Sequence, residues 1–187
     1  AMAELGVRLA AWQGGNMRNA IPFKAEVVLA LANDKVAALK EMVEAQRQML
    51  ESEFKTIESN IEFFVEEVEK PAALVPTEIQ DNVINAIYAV HNGVLRMIPV
   101  YPNVVETSSN LAIIDIDANK TNIKILARSA REDMKEYLAT QIKSCFDLAG
   151  MKTEFSGSYV GWDPNPDSEI LNLLKKIYKD QTGEDVI

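Results

Sequence analysis

Two hydrophobic periods alternate along the chain, and they predict its elements. Val7-Arg8-Leu9-Ala10-Ala11-Trp12 and Glu26-Val27-Val28-Leu29-Ala30-Leu31 are short apolar runs bounded by turn residues, the pattern of strands. Between them lies Gln13-Gly14-Gly15-Asn16-Met17-Arg18-Asn19-Ala20-Ile21-Pro22, which reads as their connecting loop. From Val36 through Leu39, Val43, Leu50, Phe54, Ile57 and Ile61 the apolar residues recur at three- and four-residue spacing. That period predicts a long amphipathic helix, with Asn33 or Asp34 placed to cap it. Ile61 to Val68, containing Phe63-Phe64-Val65, reads as a strand, although its glutamates also permit the helix to continue.

Pro71 and Pro76 interrupt the pattern and mark a boundary between two halves. Thr77 and Gln80 have capping-box spacing, which predicts a helix to about His91 with Ile79, Val83, Ile87 and Val90 inward and Asn92-Gly93 as its stop. Val104 to Asp117 and Asn122 to Ala127 predict a hairpin across Ala118-Asn119-Lys120-Thr121. Ser129 and Glu132 give a second capping-box spacing, before a helix that should bury Met134, Tyr137, Leu138, Ile142, Phe146 and Leu148 and stop at Gly150. Lys152 to Tyr159 reads as a strand, and Asp167 or Ser168 could cap a last helix bearing Ile170, Leu171, Leu174 and Ile177. The predicted fold class is α+β, with two similar antiparallel-sheet halves, each carrying its helices on one face, and a C-terminal helix. The halves are 3–70 and 77–162, followed by a tail over 163–187.

Composition narrows the function. The formal net charge of −9 over 187 residues leaves no clustered Lys and Arg to replace the counterions of a phosphate backbone, so no nucleic-acid partner is expected. No apolar run approaches the roughly 20 residues that span a bilayer, and the first residues lack the features of a signal peptide, so neither membrane nor export is expected. The single cysteine, Cys145, has no intrachain disulfide partner and suits a reducing cytoplasm. Ala1-Met2 reads as a tag remnant.

Catalytic chemistry is hard to find in these residues. A metal hydrolase needs several converging His, Cys, Asp or Glu ligands, and a nucleophilic site needs a base beside its Ser or Cys. The chain has one histidine, His91, next to a predicted helix end where it would favour the helix dipole. Cys145 reads as a small buried hydrophobe, Asp115 and Asp117 as a solvated strand face, and Trp12 and Trp162 as packing residues. What remains is polar residues that the fold does not require. Arg18 and Asn19 follow a double glycine, Asn110 interrupts an apolar strand, and Arg128 ends the next one. Together they suggest an anion grip without a catalyst, since Arg offers a fork of donors to a carboxylate and Asn can donate to a carbonyl.

The same residues carry a resemblance. The stretch Gln13 to Pro22, then Asn92-Gly93-Val94-Leu95-Arg96, Val104-Val105-Glu106-Thr107-Ser108-Ser109-Asn110, Ala127-Arg128-Ser129 and Gly157-Ser158-Tyr159-Val160-Gly161-Trp162 resemble consecutive landmarks of bacterial aminoacyl-histidine dipeptidases. These Xaa-His dipeptidases, or peptidase D, fall in the zinc metallopeptidase superfamily of carboxypeptidase G and the carnosinases. The resemblance covers nearly the whole chain, in family order.

It implies a ferredoxin-like lid and dimerisation domain, lacking that domain's first strand and helix and a Gly-Gly-His-Ser-Gly stretch. The catalytic domain, with two zinc ions and a catalytic glutamate, would lie in segments that this sequence does not contain, so no cofactor is expected in the fragment and no activity from it alone. By the same resemblance, Asn19 is the lid asparagine that reaches the scissile carbonyl and Arg128 the arginine that binds the substrate carboxylate, with Arg18, Asn110 and Glu106 in support. The implied partners are a dipeptide substrate, the catalytic domain of the same chain and a second copy in a homodimer. Residues 163–187 would re-enter the catalytic domain, so their helix should pack on the lid or a neighbouring chain, or fray. The alternative is a stand-alone α+β module that binds a small carboxylate or peptide with the same Asn and Arg.

Overall fold

The computed structural model describes residues 4–58 and 60–186, so Ala1-Met2, read from the sequence as a tag remnant, and the start of the first half at Ala3 lie outside the described residues. The elements run β1 (Arg8–Gly14), β2 (Ala25–Ala30), a short 3-10 turn (Asn33–Lys35), α1 (Val36–Phe54), α2 (Thr77–Ala89), β3 (Gly93–Ile98), β4 (Tyr101–Asp117), β5 (Lys120–Ser129), α3 (Glu132–Leu148) and α4 (Glu169–Thr182). The fold is α+β with an antiparallel sheet, as the sequence predicts, and the sheet has five strands. The chain divides into two compact units, Ala1–Tyr88 with Leu111–Ile125 and Ala89–Asn110 with Leu126–Ile187. Strands β4 and β5 contribute to both.

In the first unit β1 pairs with β2 from Arg8↔Ala30 to Gly14↔Ala25, with a register shift between Leu9 and Ala11. β4 pairs with β1 only at Trp12↔Ile116, Gln13↔Asp115 and Gly14↔Ile114. Upstream of these pairs the backbone of Leu9 is satisfied from outside the sheet. Its N–H donates to Gln80 Oε1 at 2.7 Å, and its carbonyl accepts from the Val75 N–H at 2.8 Å. Gln80 Nε2 in turn donates to the Val7 carbonyl at 3.3 Å, so one amide side chain does the work of a strand residue.

That contact sets the face of α2. Gln80, Val83 and Ala86 are buried, whereas Ile79, predicted inward, is 42% exposed, and Gln80 does not serve as half of a capping box. The core is completed by Leu9, Ala10, Leu39, Val75, Ala112 and Ile116. Burying a valine such as Val83 fully contributes about 1.5–3 kcal/mol, which fixes the helix face as long as Gln80 keeps its partners. Helix α1 departs from expectation at both ends. Its N-cap position is Lys35, without a side-chain cap, because Asn33 and Asp34 are taken up in the 3-10 turn. It stops at Phe54, whose carbonyl accepts from the N–H groups of Ile57 and Glu58 in a closing turn, leaving Ile57 exposed.

In the second unit β3 pairs antiparallel with β4, from Gly93↔Ser109 to Ile98↔Tyr101, with three register shifts along the way. β3 was not expected from the sequence, because these bulges break its period of two. Helix α3 buries Leu138, Ile142 and Phe146 at four-residue spacing, but Tyr137 and Leu148 are exposed, off this narrower stripe. It ends at Gly150, where the left-handed φ of 72° lets the Gly150 and Met151 N–H groups reach the Asp147 and Phe146 carbonyls. The Ser129 and Glu132 capping box is absent: the N-cap position is Arg131 and both side chains are used elsewhere.

Two predicted strands do not form. Ile61 to Val68 and Lys152 to Tyr159 belong to no strand, because a period-two pattern needs a backbone partner and none of the five strands supplies one. Side chains hold these segments instead. Lys40 Nζ reaches Glu67 Oε1 at 2.8 Å, and Lys135 Nζ donates to the Tyr159 carbonyl at 2.6 Å. Helix α4 is formed and closed by Gly183, with Ser168 at its N-cap position making no side-chain cap bond. It neither frays nor buries its apolar stripe: Ile170, Leu174 and Ile177 are exposed.

Replacing Gln80 with leucine leaves the Leu9 N–H and Val7 carbonyl unsatisfied, so urea unfolding should show a loss of about 1–3 kcal/mol. A change within about 0.5 kcal/mol would place the β1 constraint elsewhere.

Candidate functional site

The glycine-rich loop of the first unit is built by a close approach. Gly15 takes φ +68° and donates its N–H to the Lys24 carbonyl at 3.1 Å, closing the β1–β2 hairpin. A Cβ at Gly15 would stand 1.9 Å from the Ala112 carbonyl oxygen, so only glycine lets the loop lie against β4. Beyond it the Ala20 N–H donates to the Met17 carbonyl at 3.4 Å, and this turn lifts Arg18 and Asn19 to its crest. Both are exposed. Arg18 has a partner, whereas Asn19 makes no hydrogen bond among the described residues. Ile21 and Phe23, on the same loop, are exposed at 85% and 81%, so the loop presents apolar surface beside its free amide.

In the second unit Asn110 is half-buried in β4 and has a partner, while Arg128 is exposed on β5. The chain's six arginines differ sharply in what they hold. Arg8 donates to the Val75 carbonyl, Arg47 is shared by Glu44 and Glu51, and Arg96 pairs with Glu106. Arg131 makes a two-pronged pair with Asp133, at 3.0 and 2.9 Å, and also faces Asp163. Those carboxylates hold the Arg131 guanidinium even more firmly protonated than usual, Asp133 foremost. The Arg128 guanidinium alone among them makes no hydrogen bond or ion pair with the described residues.

The backbone beside Arg128 is tightly held. Ser129 Oγ accepts from the Arg131 N–H at 3.1 Å and meets Thr107 Oγ1 at 2.9 Å. Thr107 Oγ1 donates to Glu106 Oε1 at 3.3 Å, and the Ala130 N–H donates to the Glu106 carbonyl at 2.9 Å. Gly161 packs on the same turn: a Cβ there would lie 2.4 Å from the Ser129 carbonyl oxygen. Its N–H donates to Glu132 Oε1 at 3.1 Å, which also accepts from Lys135. The Lys135 and Gly161 bonds keep the Glu132 carboxyl below its ordinary pKa. Thr107, Ser129 and Glu132 thus build the surroundings of Arg128. The signal of Thr107 in the sequence is the polar run Glu106-Thr107-Ser108-Ser109 inside a long strand.

The remaining candidates resolve separately. Ser109 Oγ donates to the His91 carbonyl at 2.8 Å, so in its 2.8 Å contact with His91 Nδ1 the ring must be the donor. His91 is therefore not a base toward Ser109, and it ties the segment after α2 to β4. Cys145 is half-buried rather than fully buried, and burial pushes its thiol pKa up, away from nucleophilic use. Asp115 pairs with Lys120, and Asp117 accepts from the Asn119 N–H at 2.8 Å to shape the β4–β5 turn. Trp12 is half-buried, but Trp162 is 84% exposed and is not a packing residue in this chain. Among the described residues no group of three or more His, Cys, Asp or Glu could hold a metal ion, and no helix is long and apolar enough to cross a membrane.

The structure therefore places Arg18 and Asn19 on one loop of the first unit, and Asn110 and Arg128 on adjacent strands of the second. Comparison with known proteins gives these residues a context. No protein-family profile matches the chain. It is 35% identical over 176 residues to the cytosol non-specific dipeptidase of Escherichia coli strain K12, a match that covers 94% of this chain and 36% of that protein. The crystal structure of aminoacylhistidine dipeptidase from Vibrio alginolyticus superposes with a TM-score of 0.93 at 36% identity, covering 98% of this chain and 38% of that one. The chain is thus a homologue of these dipeptidases that spans little more than a third of their length, and the resemblance read from its motifs holds.

Gly15→Ala should unfold at lower urea concentration by about 2 kcal/mol or more, since a Cβ there meets backbone and the φ is left-handed. An unchanged midpoint would remove the close approach as the device that sets the loop. Cys145 should be alkylated at pH 8 more slowly in the folded chain than in urea; equal rates would contradict its raised pKa.

Proposed function

We propose that this chain is the lid portion of a zinc-dependent dipeptidase that hydrolyses Xaa-His dipeptides, with Arg128 gripping the substrate carboxylate and Asn19 donating to the scissile carbonyl. The observation that carries this reading is the uncommitted guanidinium of Arg128, exposed on a rigidly held strand end while the other five arginines are engaged. An arginine left free beside a fully bonded turn is poised for a carboxylate that comes from outside the chain, and its planar fork matches one in two-pronged fashion. Positioning by that grip favours short substrates with a free C-terminus. Asn19 supplies a side-chain N–H for charge that develops on the carbonyl oxygen during attack. Arg18 and Asn110, each with a partner of its own, are assigned supporting roles in substrate binding.

Among the described residues no group of three or more His, Cys, Asp or Glu fits a metal; on this reading the two zinc ions belong to a catalytic domain of the parent peptidase, and no activity is expected from the chain alone. Residues 3–70 and 77–162 form the two halves of the lid, and 163–187 lead back toward that domain. The exposed stripe of α4 and the apolar tip of the Asn19 loop support this, since both need cover that the described residues do not provide. A second copy in a homodimer is a further partner, and the cytoplasm is the compartment.

In the intact peptidase Arg128→Ala should raise KM for a histidine dipeptide about 10- to 100-fold with little change in kcat, the cost of a charged hydrogen bond. Asn19→Ala should lower kcat by roughly 100-fold or more with KM nearly unchanged. Equal, negligible effects of both would remove the assignment. The isolated chain should bind no stoichiometric zinc and turn over no carnosine; robust hydrolysis would overturn the reading.

A further inference from the structure

We infer that Thr107 is a positioning residue for Arg128, acting through a one-way relay of hydrogen bonds that fixes the end of β5. This rests on the assignment of Arg128 as the carboxylate grip. The directions of the relay follow from donor counting. Thr107 Oγ1 spends its only proton on Glu106 Oε1, at 3.3 Å. In its 2.9 Å contact with Ser129 it must therefore accept, so the Ser129 hydroxyl donates. Ser129 Oγ then accepts from the Arg131 N–H at 3.1 Å. Every proton runs toward the Glu106 carboxylate, which Arg96 Nε also faces at 3.4 Å. The Glu106 side chain is 4% exposed and Thr107 is 0% exposed, so solvent cannot replace either partner.

The consequence for Arg128 comes from the period of a strand. Successive side chains point to opposite faces, so holding Ser129 inward holds Arg128 outward. Ser129 is the last residue of β5, where a strand end would otherwise fray, and the relay acts on that residue. Thr107 does not touch the substrate in this account. It removes the orientational freedom that Arg128 would otherwise lose on binding.

The test uses the intact peptidase with a histidine dipeptide, comparing Thr107→Val, which keeps shape and branching but loses the hydroxyl, with Thr107→Ser, which keeps the hydroxyl. Thr107→Val should raise KM by roughly tenfold with kcat within about twofold, and Thr107→Ser should restore KM. If Thr107→Val does not fold, Ser129→Ala carries the same test, since it breaks the relay on the β5 side while Thr107 still donates to Glu106. A normal KM in the tested variant alongside a raised KM in Arg128→Ala overturns the relay and leaves the grip standing. A fall in kcat with KM unchanged also overturns it, as does failure of the serine variant to rescue. An unchanged KM in Arg128→Ala itself overturns the grip and the relay with it.

Discussion

Backbone satisfaction along β4 is the constraint on which the rest of the structure depends. β4 is the 17-residue strand Tyr101–Asp117, and its neighbours change along its length. Its end pairs with β1 in the first unit and its start with β3 in the second, while β5 folds back on it. Wherever the ladder is incomplete, another group has to complete it. Gln80 and Val75 do so for β1 at Leu9, and bulges absorb the mismatch with β3. Both candidate residues take their places from these substitutions. The Asn19 loop lies where Gly15 comes against Ala112 of β4, and Arg128 sits where Thr107 of β4 holds Ser129.

Each candidate residue is thus exposed, with its side chain unpartnered among the described residues, while the backbone beside it is held, the arrangement a binding residue would need. A flexible arginine would lose more orientational freedom on capturing a carboxylate, and the relay through Thr107 removes part of that cost in advance. The glycine at position 15 serves the same end by another route. It excludes a side chain so that the loop can rest on a carbonyl.

The sequence made the strands β1, β2, β4 and β5 and the four helices legible, because each carries a period set by one buried face. Arg128 and Asn19 stood out as candidates for the opposite reason: they are polar where no period requires them. The failures share a cause, which is that period reports which face is apolar and not what covers it. Ile61 to Val68 and Lys152 to Tyr159 alternate like strands but have no ladder partner. Ile79 yielded the inward position to Gln80, whose amide was needed by β1. Ser129 and Glu132 have capping-box spacing but are drawn away by Thr107, Gly161 and Lys135. Apart from the Lys135–Glu132 pair, these bonds join residues more than twenty positions apart, and local spacing carries no trace of them.

Substrate discrimination by the intact peptidase tests the central claim most directly. Hydrolysis of a histidine dipeptide with a free carboxylate should be compared with that of its C-terminal amide, in the native enzyme and in Arg128→Ala. If Arg128 grips the carboxylate, the native enzyme prefers the free acid through KM, and that preference collapses in the variant. A preference of the same size in both enzymes would contradict the account, because the carboxylate would then be read by a group other than Arg128.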